Sequence, residues 1–100
     1  MEEKAKQVAE LLKILANENR LLILCALMQG AKTVNQIGEY VPKITQSALS
    51  QHLIRLKMTG ILESDKQGQN VTYAVADYRV LEILAILKQY YCDDSAEQLI

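Results

Sequence analysis

The sequence predicts a mainly α-helical fold that carries one small β-hairpin, and three observations predict it. Apolar residues recur at intervals of three and four before residue 60 and again after residue 77, as they do on one face of an α-helix. Residues that can cap a helix N-terminus stand directly before four of these segments. Between residues 61 and 75 apolar and polar residues alternate around a polar turn, which is typical of a hairpin.

The first two predicted helices differ in how much of their surface is apolar. Residues 3–16 have a single apolar stripe between Glu and Lys residues. Asn17 can cap a second helix, and Gly30 can stop it. Because Leu21–Met28 is apolar on every side, we expect the second helix to form the buried centre of the domain.

Two further helices are predicted on either side of the chain's single proline. Thr33 and Gln36 have the spacing of a capping box and open a short third helix, which we expect Pro42 to end. Thr45 then serves as the N-cap of a fourth helix. Two short helices joined by a brief turn form a helix-turn-helix, whose second helix enters the DNA major groove.

The fourth helix, within Thr45–Gly60, has two chemically different faces. At about 100° per residue, three leucines fall in one sector and predict a buried face. The opposite face carries hydroxyl, amide, guanidinium and one apolar group, which are groups that contact base edges and phosphates. The segment contains no acidic residue, as expected of a helix that faces phosphates, because a carboxylate would repel them. The leucines are Leu49, Leu53 and Leu56, and the opposite face holds Ser47, Gln51, Ile54 and Arg55.

The C-terminal part of the sequence predicts the hairpin and a last helix. Strands around Ile61–Ser64 and Val71–Val75 flank a turn at residues 65–70, and Asp77 caps the helix that follows. The predicted order is α-α-α-α-β-β-α, a winged helix-turn-helix in which residues 1–100 form a single domain and residues 92–100 a frayed tail. The last helix is apolar over too wide an arc for one contact, so we expect a homodimer formed through the first and last helices.

Charge and hydropathy set further expectations. The net charge is −1, but residues 43–73 hold four basic and two acidic side chains, so the basic excess coincides with the predicted recognition helix and hairpin. There is no apolar run long enough for a membrane span and no signal-peptide pattern, so we expect a cytoplasmic protein that does not bind membranes. Without a Cys-x-x-Cys motif or an acid–base set, we do not expect an enzyme.

The order of several motifs resembles the ArsR/SmtB family of dimeric winged-helix repressors over residues 5–92. These are the apolar run at Leu21–Leu24, the third helix, the segment Ser47–Leu53, Gly60–Leu62, and a glycine-containing hairpin that ends at Tyr73. The resemblance implies a homodimer that binds a pseudo-palindromic, double-stranded operator and leaves it when an inducer is sensed.

The ligands of that family's metal sensors are missing from this sequence. Such sensors carry a Cys-x-Cys pair in the third helix or an Asp/His set in the last one, whereas here the third helix has no Cys or His and the last has no His. His52 is the only imidazole, and we expect it to make a structural hydrogen bond. We therefore predict no metal site and no cofactor.

The two cysteines provide an alternative sensor. Their placement, with Cys25 in the second helix and Cys92 at the end of the last, resembles the dithiol subgroup of the family, which implies sensing of a persulfide, polysulfide or oxidant by bridging the two sulfurs. The alternatives are that both thiols are inert and a metal or another ligand is sensed, or that the domain is an interaction module that does not bind DNA. Cys25 by itself also fits a small buried hydrophobe.

The predicted DNA contacts lie in the fourth helix and the hairpin. Ile54 is interpreted either as a contact to a thymine methyl group or as a surface hydrophobe, and the two hairpin residues either reach the minor groove or only solvate the turn. The full predicted set is Thr45, Gln46, Ser47, Ser50, Gln51, Ile54, Arg55, Lys66 and Gln69.

Overall fold

A computed structural model describes residues 1–91 and confirms the predicted mainly α-helical fold with a hairpin. The predicted frayed tail, residues 92–100, lies outside the described residues, and so does Cys92. The elements, in chain order, are α1 (Glu2–Leu15), α2 (Glu18–Leu27), β1 (Lys32–Thr33), α3 (Val34–Gly38), α4 (Gln46–Met58), β2 (Leu62–Gln67), β3 (Asn70–Val75) and α5 (Tyr78–Tyr91).

Side-chain caps fix the starts of three helices where the sequence predicts them. Asn17 Oδ1 accepts a hydrogen bond from the Arg20 amide at 3.1 Å at the start of α2. Thr33 and Gln36 form a reciprocal capping box at α3. Thr45 Oγ1 accepts from the Ala48 amide at 3.1 Å and fixes the start of α4. These predictions are confirmed, and local hydrogen bonding explains each of them.

The hairpin belongs to a three-stranded antiparallel sheet with the strand order β1-β3-β2. The sequence analysis missed β1, because two residues are too short to show alternation. It also predicted too long a turn, since β2 and β3 pair as far as Gln67 and Asn70. Only Gly68 and Gln69 remain as the loop, and Gly68 has the positive φ of 65° that a type II′ turn needs at this position.

The helix α3 ends earlier than predicted. Its last residue is Gly38, so the prediction that Pro42 ends it is wrong. The amides of Tyr40 and Val41 bond to carbonyl oxygens three residues earlier, at 2.9 and 3.2 Å, which tightens the final turn and closes the helix. Val41, beyond the end of the helix, is buried at 2% exposure.

The core lies between α2, α3, α4, α5 and the base of the hairpin. The prediction that α2 is buried on every side is wrong for Leu22, which is 40% exposed, and for Cys25, which is exposed. Both lie on the side of α2 that borders an open groove towards α5. The fully buried large side chains are Ile23, Leu24, Ile37, Leu53, Leu56, Ile61, Val41 and Val80.

Large apolar side chains stay exposed on α1 and α5. Val8 and Leu12 on α1 are 54% and 50% exposed, and Ile86 and Tyr90 on α5 are 56% and 66% exposed. Within residues 1–91, no helix is both long and apolar enough to cross a bilayer.

Asp77 caps α5, and its removal is expected to cost about 1 kcal/mol of unfolding free energy. Its Oδ1 accepts from the amide and Nε of Arg79 at 3.0 and 2.9 Å, and Oδ2 accepts from Nη2 at 2.6 Å. The hydrogen bonds from the Arg79 side chain hold the pKa of Asp77 below its ordinary value. We expect Asp77→Ala to lower stability in urea titrations at pH 7, whereas Asp77→Asn, which also caps, should stay close to the wild type.

The pH dependence of the unfolding free energy distinguishes the capping effect of Asp77 from the effect of its negative charge. The stabilisation from the Asp77 carboxylate should be complete above the unfolded-state pKa of about 3.9 and disappear as pH falls through the lower folded-state value. The difference in stability between wild type and Asp77→Asn should therefore shift in that acid range. If the difference in stability between the two proteins did not change with pH, the stabilising role of the Asp77 carboxylate would be contradicted.

Candidate nucleic-acid interface

The structure separates the two faces of α4 as the sequence predicts. Leu49, Leu53 and Leu56 are 2%, 0% and 0% exposed and anchor the helix in the core. Six of the seven predicted contact residues in this segment are exposed, and Ser50 is partly exposed. The exposed residues are Thr45, Gln46, Ser47, Gln51, Ile54 and Arg55.

The two predicted hairpin residues are exposed but lie in a different place from the α4 set. Lys66 is in β2, where it pairs with Val71 of β3, and Gln69 is in the two-residue loop. Gln69 shares a cleft of about 260 Å³ with Thr33 and Asn35, at the start of α3. The structure therefore brings the hairpin tip to the start of the third helix.

Met58 is an exposed residue of α4 that the sequence analysis did not include. It is 82% exposed and borders a concavity of about 590 Å³ together with Gln51, Ile54, Arg55 and Thr59. Met58 follows Ile54 by four residues, so helical spacing alone places both on one side of α4. This four-residue spacing is the feature of the sequence from which the exposure of Met58 beside Ile54 could have been predicted.

His52 connects α4 to α2 and, through Arg20, to the end of α1. Arg20 Nε donates to His52 Nδ1 at 3.4 Å, and Arg20 Nη1 donates to the Ile14 carbonyl oxygen at 3.3 Å. The predicted structural hydrogen bond of His52 is thus confirmed. The role of Arg20 was missed because a contact across 32 residues has no signature in sequence spacing.

Acidification is expected to destabilise the protein through His52. Partial burial lowers the pKa of His52, and the charges of Arg20 and Arg55 lower it further. Because the unfolded chain binds the proton at a higher pH than the folded chain, stability should fall as pH drops below about 6.5 and level off below the folded-state pKa.

His52→Gln tests this expectation. The glutamine Oε1 can still accept from Arg20 but does not titrate. Urea midpoints for the variant should therefore lack the loss seen in the wild type between about pH 7.5 and about pH 5, which are roughly one unit above and one and a half units below the ordinary pKa of a histidine. An NMR titration of the imidazole that gave a pKa above 6.5 would contradict the account.

Cys25 borders an apolar groove of about 580 Å³ between α2 and α5. The groove is lined mainly by leucines, and two side chains of the last turn of α5, Lys88 and Tyr91, contribute to it. The interpretation of Cys25 as a buried small hydrophobe is wrong, because its side chain is exposed. The other lining residues are Glu18, Leu21, Leu22, Leu84 and Leu87.

Within residues 1–91, no group of three or more His, Cys, Asp or Glu side chains is arranged to hold a metal ion.

These features define a class of protein. A buried helix-turn-helix exposes an acid-free polar face on its second helix, and a β-hairpin follows it directly, which is the arrangement of a DNA-binding winged helix-turn-helix. Residues 17–64 match the family described as bacterial regulatory protein, arsR family. Over 92 residues the chain is 36% identical to the transcriptional activator HlyU of Vibrio cholerae, covering 92% of this chain and 84% of that protein. The chain therefore belongs to the arsR family.

Solved structures of this class superpose on the chain over nearly its whole length. Reduced HlyU from Vibrio cholerae gives a TM-score of 0.86 at 35% identity, covering 93% of this chain and 97% of that one. The transcriptional repressor BigR from Xylella fastidiosa gives a TM-score of 0.84 at 30% identity, covering 94% of this chain and 95% of that one. The antimony-specific transcriptional repressor AntR gives a TM-score of 0.84 at 32% identity, covering 98% of this chain and 86% of that one. The protein is a DNA-binding transcriptional regulator.

Proposed function

We propose that this protein is a homodimeric, sequence-specific transcriptional repressor whose operator binding is relieved when Cys25 and Cys92 are oxidised or sulfurated. In this proposal residues 1–100 act as one DNA-binding domain in the cytoplasm. The observation that carries the DNA-binding part is the exposed, acid-free face of α4, held rigidly by three buried leucines. Arg55 supplies a cation for phosphates, while Ser47 and Gln51 supply donors and acceptors for base edges.

The hairpin has a smaller part in this proposal. Lys66 and Gln69 are exposed and lie apart from the α4 face, so they would contact DNA that flanks the bases read by α4. A single lysine supplies little of the electrostatic attraction on which phosphate binding depends.

A second copy of the chain would cover the exposed apolar side chains of α1 and α5. Val8, Leu12, Ile86 and Tyr90 are each at least half exposed in the single chain. Exposed apolar side chains of this size are typical of a permanent homodimer interface. A two-fold axis between the copies would place the two α4 helices in successive major grooves, roughly 34 Å apart.

The groove beside Cys25 supports the sensing part of the proposal. Cys25 and Tyr91 line the same groove, and Cys92 follows Tyr91 directly in the chain. A covalent link between the two sulfurs would tie α2 to the end of α5, and α5 also carries part of the proposed dimer contact.

Either type of effector can link the sulfur atoms of Cys25 and Cys92 in two steps. One equivalent of peroxide oxidises one thiol to a sulfenic acid and water, and the second thiol then displaces a second water to form the disulfide. With a polysulfide, each thiolate accepts one sulfane sulfur, and the two persulfides condense to a trisulfide with loss of hydrogen sulfide. Both routes form a covalent bridge between residues 25 and 92.

A gel-shift series on the promoter upstream of the protein's own reading frame tests the proposal. We expect specific retardation at moderate salt with the reduced protein and its loss after treatment with polysulfide or peroxide. Failure to retard the fragment even at low salt would reject DNA binding at this promoter. Retardation that persists unchanged after treatment would reject only the thiol switch.

The similarity to the antimony-specific repressor AntR supports a second candidate effector, a thiol-binding metalloid ion. In that case the same groove would hold the ion through Cys25, and antimonite would release the operator from protein kept fully reduced. Adding antimonite and Zn²⁺ arms, under reducing conditions, to the gel-shift series separates this candidate from oxidation.

A further inference from the structure

We infer that Ile54 and Met58 form an apolar contact surface for thymine methyl groups, so that each operator half-site carries thymines opposite the C-terminal half of α4. The inference rests on the proposed DNA-binding function and goes beyond it by giving the base composition that this helix selects.

The two side chains form one surface that the other residues of the described part of the chain, 1–91, leave uncovered. Ile54 is 53% exposed and Met58 is 82% exposed, and both border the concavity of about 590 Å³ on the outer side of α4. They are four residues apart, which places them one above the other, roughly 6 Å apart along the helix axis.

The neighbours of this surface identify its partner. Gln51 and Arg55 border the same concavity, and both suit DNA, one as a reader of base edges and the other as a cation for phosphate. No carboxylate occurs between residues 45 and 60 to repel a phosphate backbone. An apolar surface between such groups needs an apolar feature in the major groove, and the thymine methyl group is the one that the base pairs offer there.

The spacing of the side chains fixes the layout of the half-site. Base pairs are stacked roughly 3.4 Å apart, so a separation of roughly 6 Å spans about two base steps. Gln51 precedes Ile54 by one helical turn, and a glutamine amide pairs best with the N6 and N7 atoms of adenine. Met58 lies seven residues beyond Gln51, roughly 10.5 Å along the helix axis. The expected half-site therefore has an adenine opposite Gln51 and thymines within about three steps of it.

Replacing thymine by deoxyuridine tests the inference, because this change removes only the methyl group. Operator sequences are first selected from a random duplex library with the full-length, reduced protein, and each thymine of the half-site is then replaced in turn. We expect one or two positions at which the wild type loses about fourfold in affinity, the value of one buried methyl group. At those positions Ile54→Ala or Met58→Ala should bind the thymine and uracil duplexes equally.

Arg55→Ala is the matched control. It should weaken binding to both duplexes and leave the thymine-to-uracil ratio at about fourfold, because it removes a phosphate contact from the same concavity. Thermal melts of all three variants check that these exposed positions leave the fold intact.

The outcomes separate the inference from the function on which it rests. If uracil is tolerated everywhere while Arg55→Ala still weakens binding, the methyl contact is overturned and DNA binding by α4 stands. If uracil weakens the wild type and both alanine variants equally, the methyl acts through DNA shape and the inference is overturned. If the wild type selects no sequence at all, the proposed function is overturned and the inference with it.

Discussion

Replacing Leu53 with alanine is expected to lower the free energy of unfolding by about 2 to 5 kcal/mol. Leu53 is fully buried on the inner face of α4, so the substitution removes apolar contacts and leaves a cavity in the core. Stabilities of small domains are about 5 to 15 kcal/mol, which makes this a large fraction of the total. Urea denaturation followed by circular dichroism measures the change.

Ile54→Ala is the matched control for that prediction. It deletes a similar side chain one residue along the same helix, but Ile54 is 53% exposed and the stability should change by less than about 0.5 kcal/mol. Similar losses at the two positions would show that α4 does not have one buried and one exposed face.

A Cys25→Ser, Cys92→Ser double variant is expected to keep its operator after polysulfide or peroxide treatment that releases the wild type. The proposed bridge needs both sulfurs, and serine cannot form it under these conditions. Cys25 is exposed in the groove, so replacing it with a residue of nearly equal volume should leave the reduced fold and the untreated affinity close to those of the wild type.

The single variants and mass spectrometry complete this test. Each serine variant alone should also fail to respond, because one thiol cannot close the link. Wild-type protein released by polysulfide should contain a peptide pair joined through residues 25 and 92 with one intervening sulfur atom, and protein released by peroxide should contain the same pair without one. Release of the double variant at the wild-type dose would contradict the dithiol switch.

Local rules made much of the fold predictable from sequence. The caps at Asn17, Thr33 and Thr45 depend on residues three positions apart, and the structure contains each of the predicted bonds. The buried face of α4 follows from helical spacing, as does the wide apolar arc of α5. The hairpin was predictable because alternation and turn residues coincide, although the paired region proved longer than the alternating one.

Features that depend on tertiary contacts were not predictable in the same way. The strand β1 exists because Lys32 pairs with Tyr73, 41 positions later, and Thr33 with Thr72, 39 positions later. The bond between Arg20 and His52 joins two helices. The exposure of Cys25 depends on how α5 lies beside α2, and the apolar surroundings of Cys25 in the sequence gave the opposite expectation.

The central claim is that the outer face of α4 reads the operator, and a competition measurement tests it most directly. Fluorescence anisotropy would give the affinities of the wild type, Ser47→Ala, Gln51→Ala and Arg55→Ala for the operator and for random duplex at one salt concentration. We expect Ser47→Ala and Gln51→Ala to reduce the preference for operator over random duplex by roughly five- to 150-fold, which corresponds to a lost base contact worth about 1 to 3 kcal/mol. Arg55→Ala should weaken binding to both duplexes alike. Unchanged operator affinity in all three variants would show that α4 is not the recognition helix.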